Sequence, residues 1–339
     1  MLGSMASFER IAGLQLEVDG YDVERREVAV SPEFSRVTTT VVLHGRGERG
    51  EGEDVTYTPA DHDGFSADLP LAGPWTLADF SAQLDGQQLF ARDPEHDAYS
   101  AYRRWAFESA ALDLALRQAG LTLGHALGRE YRPVRFVVST RRDAFEWLQH
   151  DPTLELKLDP EPGWTREFME RLAATGRVRV LDFKAYYTGT PVDVEPDPRL
   201  YRTAVELFPD AVLEDASLDG ECREALRGAE DRLSFDAPIH SLADLDALPV
   251  EPRWLNVKPS RFGTLERLLE CVDACDDRGI RMYGGGQFEL GPGRRQIQVL
   301  ASLRYPDTPS DVAPAEYNLG EPRPGLPRSP LPPPERVGF

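Results

Sequence analysis

Three of the 38 basic residues in this chain are lysines, Lys157, Lys184 and Lys258; all the others are arginine. Arginine cannot shed its proton inside a protein, whereas lysine can once its pKa is lowered, so the surviving lysines are candidates for work arginine cannot do. Among them lie three carboxylates that close short apolar runs, Asp182, Glu214 and Asp236. The series Lys157, Asp182, Glu214, Asp236, Lys258 has separations of 25, 32, 22 and 22 residues, each about one strand–helix unit. One strand-end carboxylate usually caps the next helix or turn. Three on successive units, bracketed by lysines, are hard to read as capping. Carboxylates gathered this way repel and raise each other's pKa; a hard divalent cation relieves that, and oxygen-only donors suit Mg²⁺.

The elements that would position these residues are legible from residue 134 onward. Apolar runs at 134–139, 154–158, 178–182, 211–214, 233–236, 254–258 and 280–284 alternate with helical patterns such as 165–174, 199–208 and 264–277. Such alternation predicts parallel α/β structure, and the number of units predicts a barrel. A doubly wound open sheet is the alternative, but no Gly-rich dinucleotide turn follows the first run. Upstream, residues 14–18 alternate and 37–43 are β-branched, with turn chemistry at Gly45-Arg46-Gly47. Helical spacing over 102–119 ends at Gly120. The stretch beyond Tyr305 is proline-rich and reads as an irregular strap or tail. The expected division is an α+β capping domain over 5–130, a barrel over 131–315 and a Pro-rich strap or tail over 316–339. Residues before Met5 read as an alternative start and are left out of this division.

A net charge of −20 argues against nucleic acid or an anionic membrane as partner. No run of ~18 apolar residues offers a membrane span. With no secretory signal pattern, a cytoplasmic location is expected. Cys222, Cys271 and Cys275 form no Cys-x-x-Cys, so reduced thiols rather than a thiol metal site are expected. A homo-oligomer is the expected assembly.

Four motifs add a resemblance. Glu108-Ser109-Ala110-Ala111-Leu112-Asp113-Leu114-Ala115 looks like a signature helix before the barrel, and Gly52-Glu53 like the end of a cap-domain hairpin. Asn256-Val257-Lys258-Pro259-Ser260-Arg261-Phe262-Gly263 is similar to a sixth-strand motif, and Gly284-Gly285-Gly286-Gln287-Phe288-Glu289 to a seventh-strand end. Together they resemble the enolase superfamily, in particular its muconate-lactonizing-enzyme and o-succinylbenzoate-synthase-like subgroup. The resemblance implies a modified TIM (β/α)₇β barrel under an α+β N-terminal capping domain. It implies Mg²⁺ on Asp182, Glu214 and Asp236, with Lys157 and Lys258 as catalytic groups on opposite faces of a small-molecule carboxylate substrate. Residues 20–36 match a mobile cap loop that sets specificity. The implied reaction is α-proton abstraction through an enediolate, leading to racemisation or epimerisation, or to dehydration or cycloisomerisation. The pairing of a lysine base with Mg²⁺ is a known feature of that superfamily. A degenerate binding protein and a Schiff-base aldolase are the readings from other classes.

The departures are informative. Glu155-Leu156-Lys157 stands where the family has Lys-x-Lys, and Asp182-Phe183-Lys184 where it has Asp-x-Asn. Ala237 replaces the acidic residue after the third ligand, and Asp215 follows Glu214 in place of an amide. Side chains two apart on a strand share a face, so Lys184 should enter the barrel beside Asp182. Glu155 and Lys184 are expected to pair across neighbouring strands. Lys184 would then bind a substrate carboxylate, or lie against the ligands and weaken metal binding. Arg141, Gln287 and Glu289 are further candidates for substrate contact. The glycines at 284–286 could cradle a phosphate or simply form a tight barrel turn.

Overall fold

The structure, a computed structural model, describes residues 6–31, 34–66, 68–190 and 192–339. The residues before Met5, read as an alternative start, lie outside the described residues. No helix among those described is long and apolar enough to cross a membrane.

The N-terminal part contains two small antiparallel sheets. Strand β1 (Gln15–Val18) pairs with β5 (Gly73–Thr76), while β2 (Gly20–Ser31), β3 (Phe34–Gly45) and β4 (Glu48–Asp54) form a meander. The β3–β4 turn places Arg46 and Gly47 at φ 52° and 77°, the paired left-handed residues that a two-residue hairpin requires. The segment over 20–36, expected as a mobile loop, is built from paired strands, from Gly20↔His44 to Ser31↔Phe34, with a register shift between Ala29 and Ser31. The physical reason lies in β3: its β-branched run from Val37 to Val42 is buried, and its backbone needs a ladder partner that β2 supplies. Residues 32 and 33 of this segment lie outside the described residues.

The helix Ala98–Ala119 ends at Gly120, whose φ of 64° makes the left-handed C-terminal stop. It packs directly on β4. Gly50 and Gly52, two apart and so on one strand face, meet its backbone: a Cβ on Gly52 would lie 2.0 Å from Ala106 O and 2.4 Å from Ser109 Oγ. Small residues on both elements are what allow so close an approach.

The barrel sheet runs β6 (Val138–Ser139), β7 (Leu156–Leu158), β8 (Val178–Asp182), β9 (Val212–Glu214), β10 (Leu233–Phe235), β11 (Trp254–Val257) and β12 (Arg281–Gly284), all neighbours parallel. Residues 310–311 close the ring. Ser310 bridges to Phe136 just before β6, and Asp311 to Gly285 just after β12, both in parallel sense. The segment therefore stands where an eighth strand belongs. Helices such as Arg166–Ala174, Pro198–Leu207 and Leu265–Arg278 separate the strands. The proline-rich end is an ordered strap: Leu331 bridges to Val134, and Phe339 is fully buried with its ring centroid 6.3 Å from that of Trp105.

Two buried residues tie the cap to the barrel rim. Arg36 on β3 donates to the carbonyls of Gln287 (2.8 Å) and Phe288 (3.1 Å) in the loop after β12. Glu53 on β4 accepts from the amides of Leu290, Gly291 and Gly293 at 2.7–2.9 Å, capping the helix Pro292–Arg304.

Candidate active site

The site forms where β7 to β11 end. Asp182 pairs in register with Glu214, and Glu214 with Ser234, so Asp236 sits two residues further along, just past the end of β10. All three carboxylates are fully buried, and Lys157 and Lys258 are nearly so. Lys157 Nζ donates to both Glu214 oxygens at 2.7 Å and lies 3.2 Å from Asp182. Lys258 Nζ donates to Asp236 Oδ2 at 2.7 Å. The Lys184 ammonium donates to Asp182 Oδ2.

Further neighbours complete the site. Asn256 Nδ2 (2.9 Å) and the Tyr283 hydroxyl (2.6 Å) donate to Glu214. The Tyr187 hydroxyl donates to Asp236 Oδ2 at 2.7 Å and accepts from Arg261 at 2.8 Å. Asp215 accepts the amides of Asp236 and Ala237, at 2.8 and 2.9 Å, and so fixes the turn after β10. Its φ of 48°, like the 57° of Lys184 and the 59° of Phe288, is a left-handed conformation at the barrel rim. Asn256 and Arg261 belong to the sixth-strand motif; Tyr283 had no signal, since a tyrosine in an apolar run looks like core, and Tyr187 had none because it lies in the turn segment after β8.

Burial opposes charge on every one of these groups, and their partners decide the outcome. Burial would lower the Lys157 pKa, but Glu214 and Asp182 outweigh it and hold the ammonium well above the lysine range. Lys258 is raised in the same way by Asp236. Burial, with Asp182 beside it, pushes Glu214 up to about 7. Asp182 and Asp236 go the other way, burial being overcome by Lys184 and Lys157 for the first and by Arg261 and Lys258 for the second. Asp215 is raised well above the carboxylate range by burial and then by Asp236.

Some expectations change. Glu155 does not reach Lys184. It takes Arg135 (2.6 and 2.7 Å) and Arg179 (2.6 Å), because it precedes β7 and belongs to the opposite end of the barrel. Lys184 faces Asp182, as foreseen, but through a left-handed turn past the end of β8 rather than strand alternation. Gln287 donates to the Tyr102 hydroxyl of the cap helix at 3.0 Å, and Glu289 accepts the backbone amide of Gln287 at 2.6 Å and meets Arg294 at 3.0 Å. Arg141 is largely exposed at the rim, 3.3 Å from Asp159. Close packing accounts for the glycine at 285: a Cβ there would lie 2.4 Å from Asn256 Oδ1 and 2.9 Å from Lys258 Cε. All three cysteines are free and buried.

Residues 9–126 and 130–319 match the N-terminal and C-terminal domains of a family described as a domain of unknown function, DUF8230. The chain belongs to the DUF8230 family. The o-succinylbenzoate synthase of Bacillus subtilis (strain 168) is 25% identical over 218 residues, which are 61% of this chain and 57% of that protein. The chain thus spans under two thirds of that relative's length. A mandelate racemase/muconate lactonizing enzyme from Roseiflexus sp. superposes with a TM-score of 0.66 at 18% identity, covering 90% of this chain and 91% of that one. A dipeptide epimerase from Methylococcus capsulatus, complexed with Mg ion, gives 0.63 at 18% identity, covering 90% and 92%. This DUF8230 chain is a divergent member of the enolase superfamily, with the capping domain and barrel of that group.

Whether the DUF8230 site suits a divalent cation can be tested on its own atoms. No three metal-binding side chains converge into a ready cage among the described residues. The donor chemistry nonetheless fits: three carboxylates on adjacent strand ends, all oxygen, in a buried position. Asn256 Oδ1 there is buried with no hydrogen-bond donor, and Asp236 Oδ1 lacks one too, although the Arg261 guanidinium lies 3.3 Å away. Buried polar atoms are seldom left so. What stands in a cation's way is the set of ammonium groups already on the carboxylates.

Proposed function

We propose that this protein abstracts the α-proton of a small carboxylate substrate, with Lys157 and Lys258 as the paired acid–base groups. Asp182, Glu214 and Asp236 would hold Mg²⁺. When bound, that cation would supply the positive charge that stabilises negative charge developing on the substrate carboxylate. The observation that carries the reading is the placement of the two lysines. Lys157 lies on the second barrel strand and Lys258 at the end of the sixth, half a turn apart around an eight-membered ring. A substrate held between them offers each lysine one face of its α-carbon.

A lysine acts as base only when neutral. Both are held charged by their carboxylates, so each must part from its partner before it can take a proton. The lysine that remains charged is then the acid that returns a proton to the other face. Two opposed lysines favour racemisation or epimerisation; dehydration or cycloisomerisation needs only one of them. The dipeptide epimerase and o-succinylbenzoate synthase relatives support the general class.

The test is exchange of the α-proton with solvent deuterium, followed by NMR over dipeptides, o-succinylbenzoate and other small carboxylates with a saturated α-carbon, with Mg²⁺ present. Exchange from both configurations of one substrate supports epimerisation. Exchange or product from one face alone supports elimination or cycloisomerisation. The locking of both lysines in ion pairs favours a second reading, a non-catalytic binding protein. Binding without any exchange would select it.

A further inference from the structure

Lys184 is the one lysine without a place in that reaction. Its ammonium donates to Asp182 Oδ2, and its own amide donates to Asp182 Oδ1 at 3.2 Å, so one residue occupies both oxygens of that carboxylate. A left-handed backbone, disfavoured by about 1–2 kcal/mol for a residue with a Cβ, turns the side chain back onto the site. A second carboxylate lies within reach: Asp159 Oδ1 is 3.6 Å from the same Nζ. Asp159 follows β7 on the neighbouring strand, is partly exposed and already meets Arg141. The Tyr187 ring, 5.1 Å from the ammonium, lines the region with a π face that tolerates a cation.

From these contacts we infer that Lys184 competes with the divalent cation for Asp182 and is handed to Asp159 when that cation binds. The inference rests on the reading of Asp182, Glu214 and Asp236 as the metal site. A cation arriving at Asp182 meets a like charge within a few ångströms, and the two cannot share the carboxylate at low cost. Lysine suits the exchange: its charge is compact and its four-carbon stem flexible, whereas a guanidinium forks rigidly onto its partner. This gives a physical reason for a lysine here in a chain that otherwise uses arginine.

The full chain and its Lys184→Asn, Lys184→Gln and Asp159→Asn variants would be titrated with Mg²⁺ by calorimetry, and with Mn²⁺ by the loss of its free-ion resonance. Thermal melts check that each variant is folded, and the glutamine variant serves if the asparagine one is not. The expected result is that removing the ammonium tightens metal binding about tenfold or more. Asp159→Asn should weaken it several-fold, because Lys184 loses its second seat. Equal or weaker affinity after removal of Lys184 overturns the competition. Unchanged affinity in Asp159→Asn overturns the hand-off. If neither the wild type nor any variant binds metal, the metal-site reading fails and takes this inference with it. If the wild type binds and only the Lys184 variants fail to improve, the metal-site reading stands and the role of Lys184 is refuted.

Discussion

The Lys157 ammonium donates to both carboxylate oxygens of Glu214, at 2.7 Å each, reaching past β8 to do so. The resting site therefore presents this lysine as a held acid, with its pKa raised and its preferred proton donor geometry spent on the protein. Lys258 is in the same condition on Asp236. If each serves one face of the substrate, their losses should be separable.

Lys157→Ala and Lys258→Ala are each expected to slow α-proton exchange about 10²–10⁴-fold, one for each configuration of the substrate. Deuterium incorporation read separately for the two configurations checks this. Lys157→Arg should not restore exchange, since arginine stays protonated. Equal loss from both configurations in both variants would argue against opposed acid–base roles.

Gly52→Ala should destabilise the protein by about 1–3 kcal/mol or more, as overpacking does in tight cores. The new Cβ would lie 2.0 Å from Ala106 O, where only backbone can give way. Gly20→Ala, with nothing within 4 Å of its Cβ, is the control and should change little. Urea denaturation of the two variants beside the wild type measures the difference.

Glu155→Gln should matter at neutral pH and fade in acid. Burial would raise the Glu155 pKa, but the hydrogen bonds from Arg135 and Arg179 outweigh it and leave it lowered. A lowered carboxylate stabilises the folded state above its unfolded pKa, and that contribution disappears as pH falls through the folded value. The gap in melting temperature between wild type and Glu155→Gln should thus be widest near neutrality and close well below pH ~4.3, the ordinary glutamate value. A gap independent of pH would assign the effect to packing.

With a net charge of −20, the folded chain repels itself, and salt should relieve this. The melting temperature is expected to rise as NaCl is raised from low ionic strength. A fall would show that attractive pairs such as Arg166–Glu206 weigh more than the net excess.

What the sequence determined alone was the order and type of the parts. Seven apolar runs stood at the positions of β6 to β12, because a strand covered on both faces must be apolar along its length. Lys157, Asp182, Glu214, Asp236 and Lys258 stood out because capping alone rarely sets polar residues at the ends of such runs at one-unit spacing. Gly120 marked its helix end, since few residues accept the left-handed conformation that stops a helix there. Partner choice was not legible, as it depends on which side chains meet across strands far apart in sequence. Glu155 and Lys184 looked like a pair by neighbouring strands, yet strand direction sends one to each end of the barrel. The eighth closure at residues 310–311 had no apolar run to announce it, because one bridge on each side suffices. The ammonium of Lys184 on Asp182 likewise follows from a left-handed backbone that only the surrounding packing can impose.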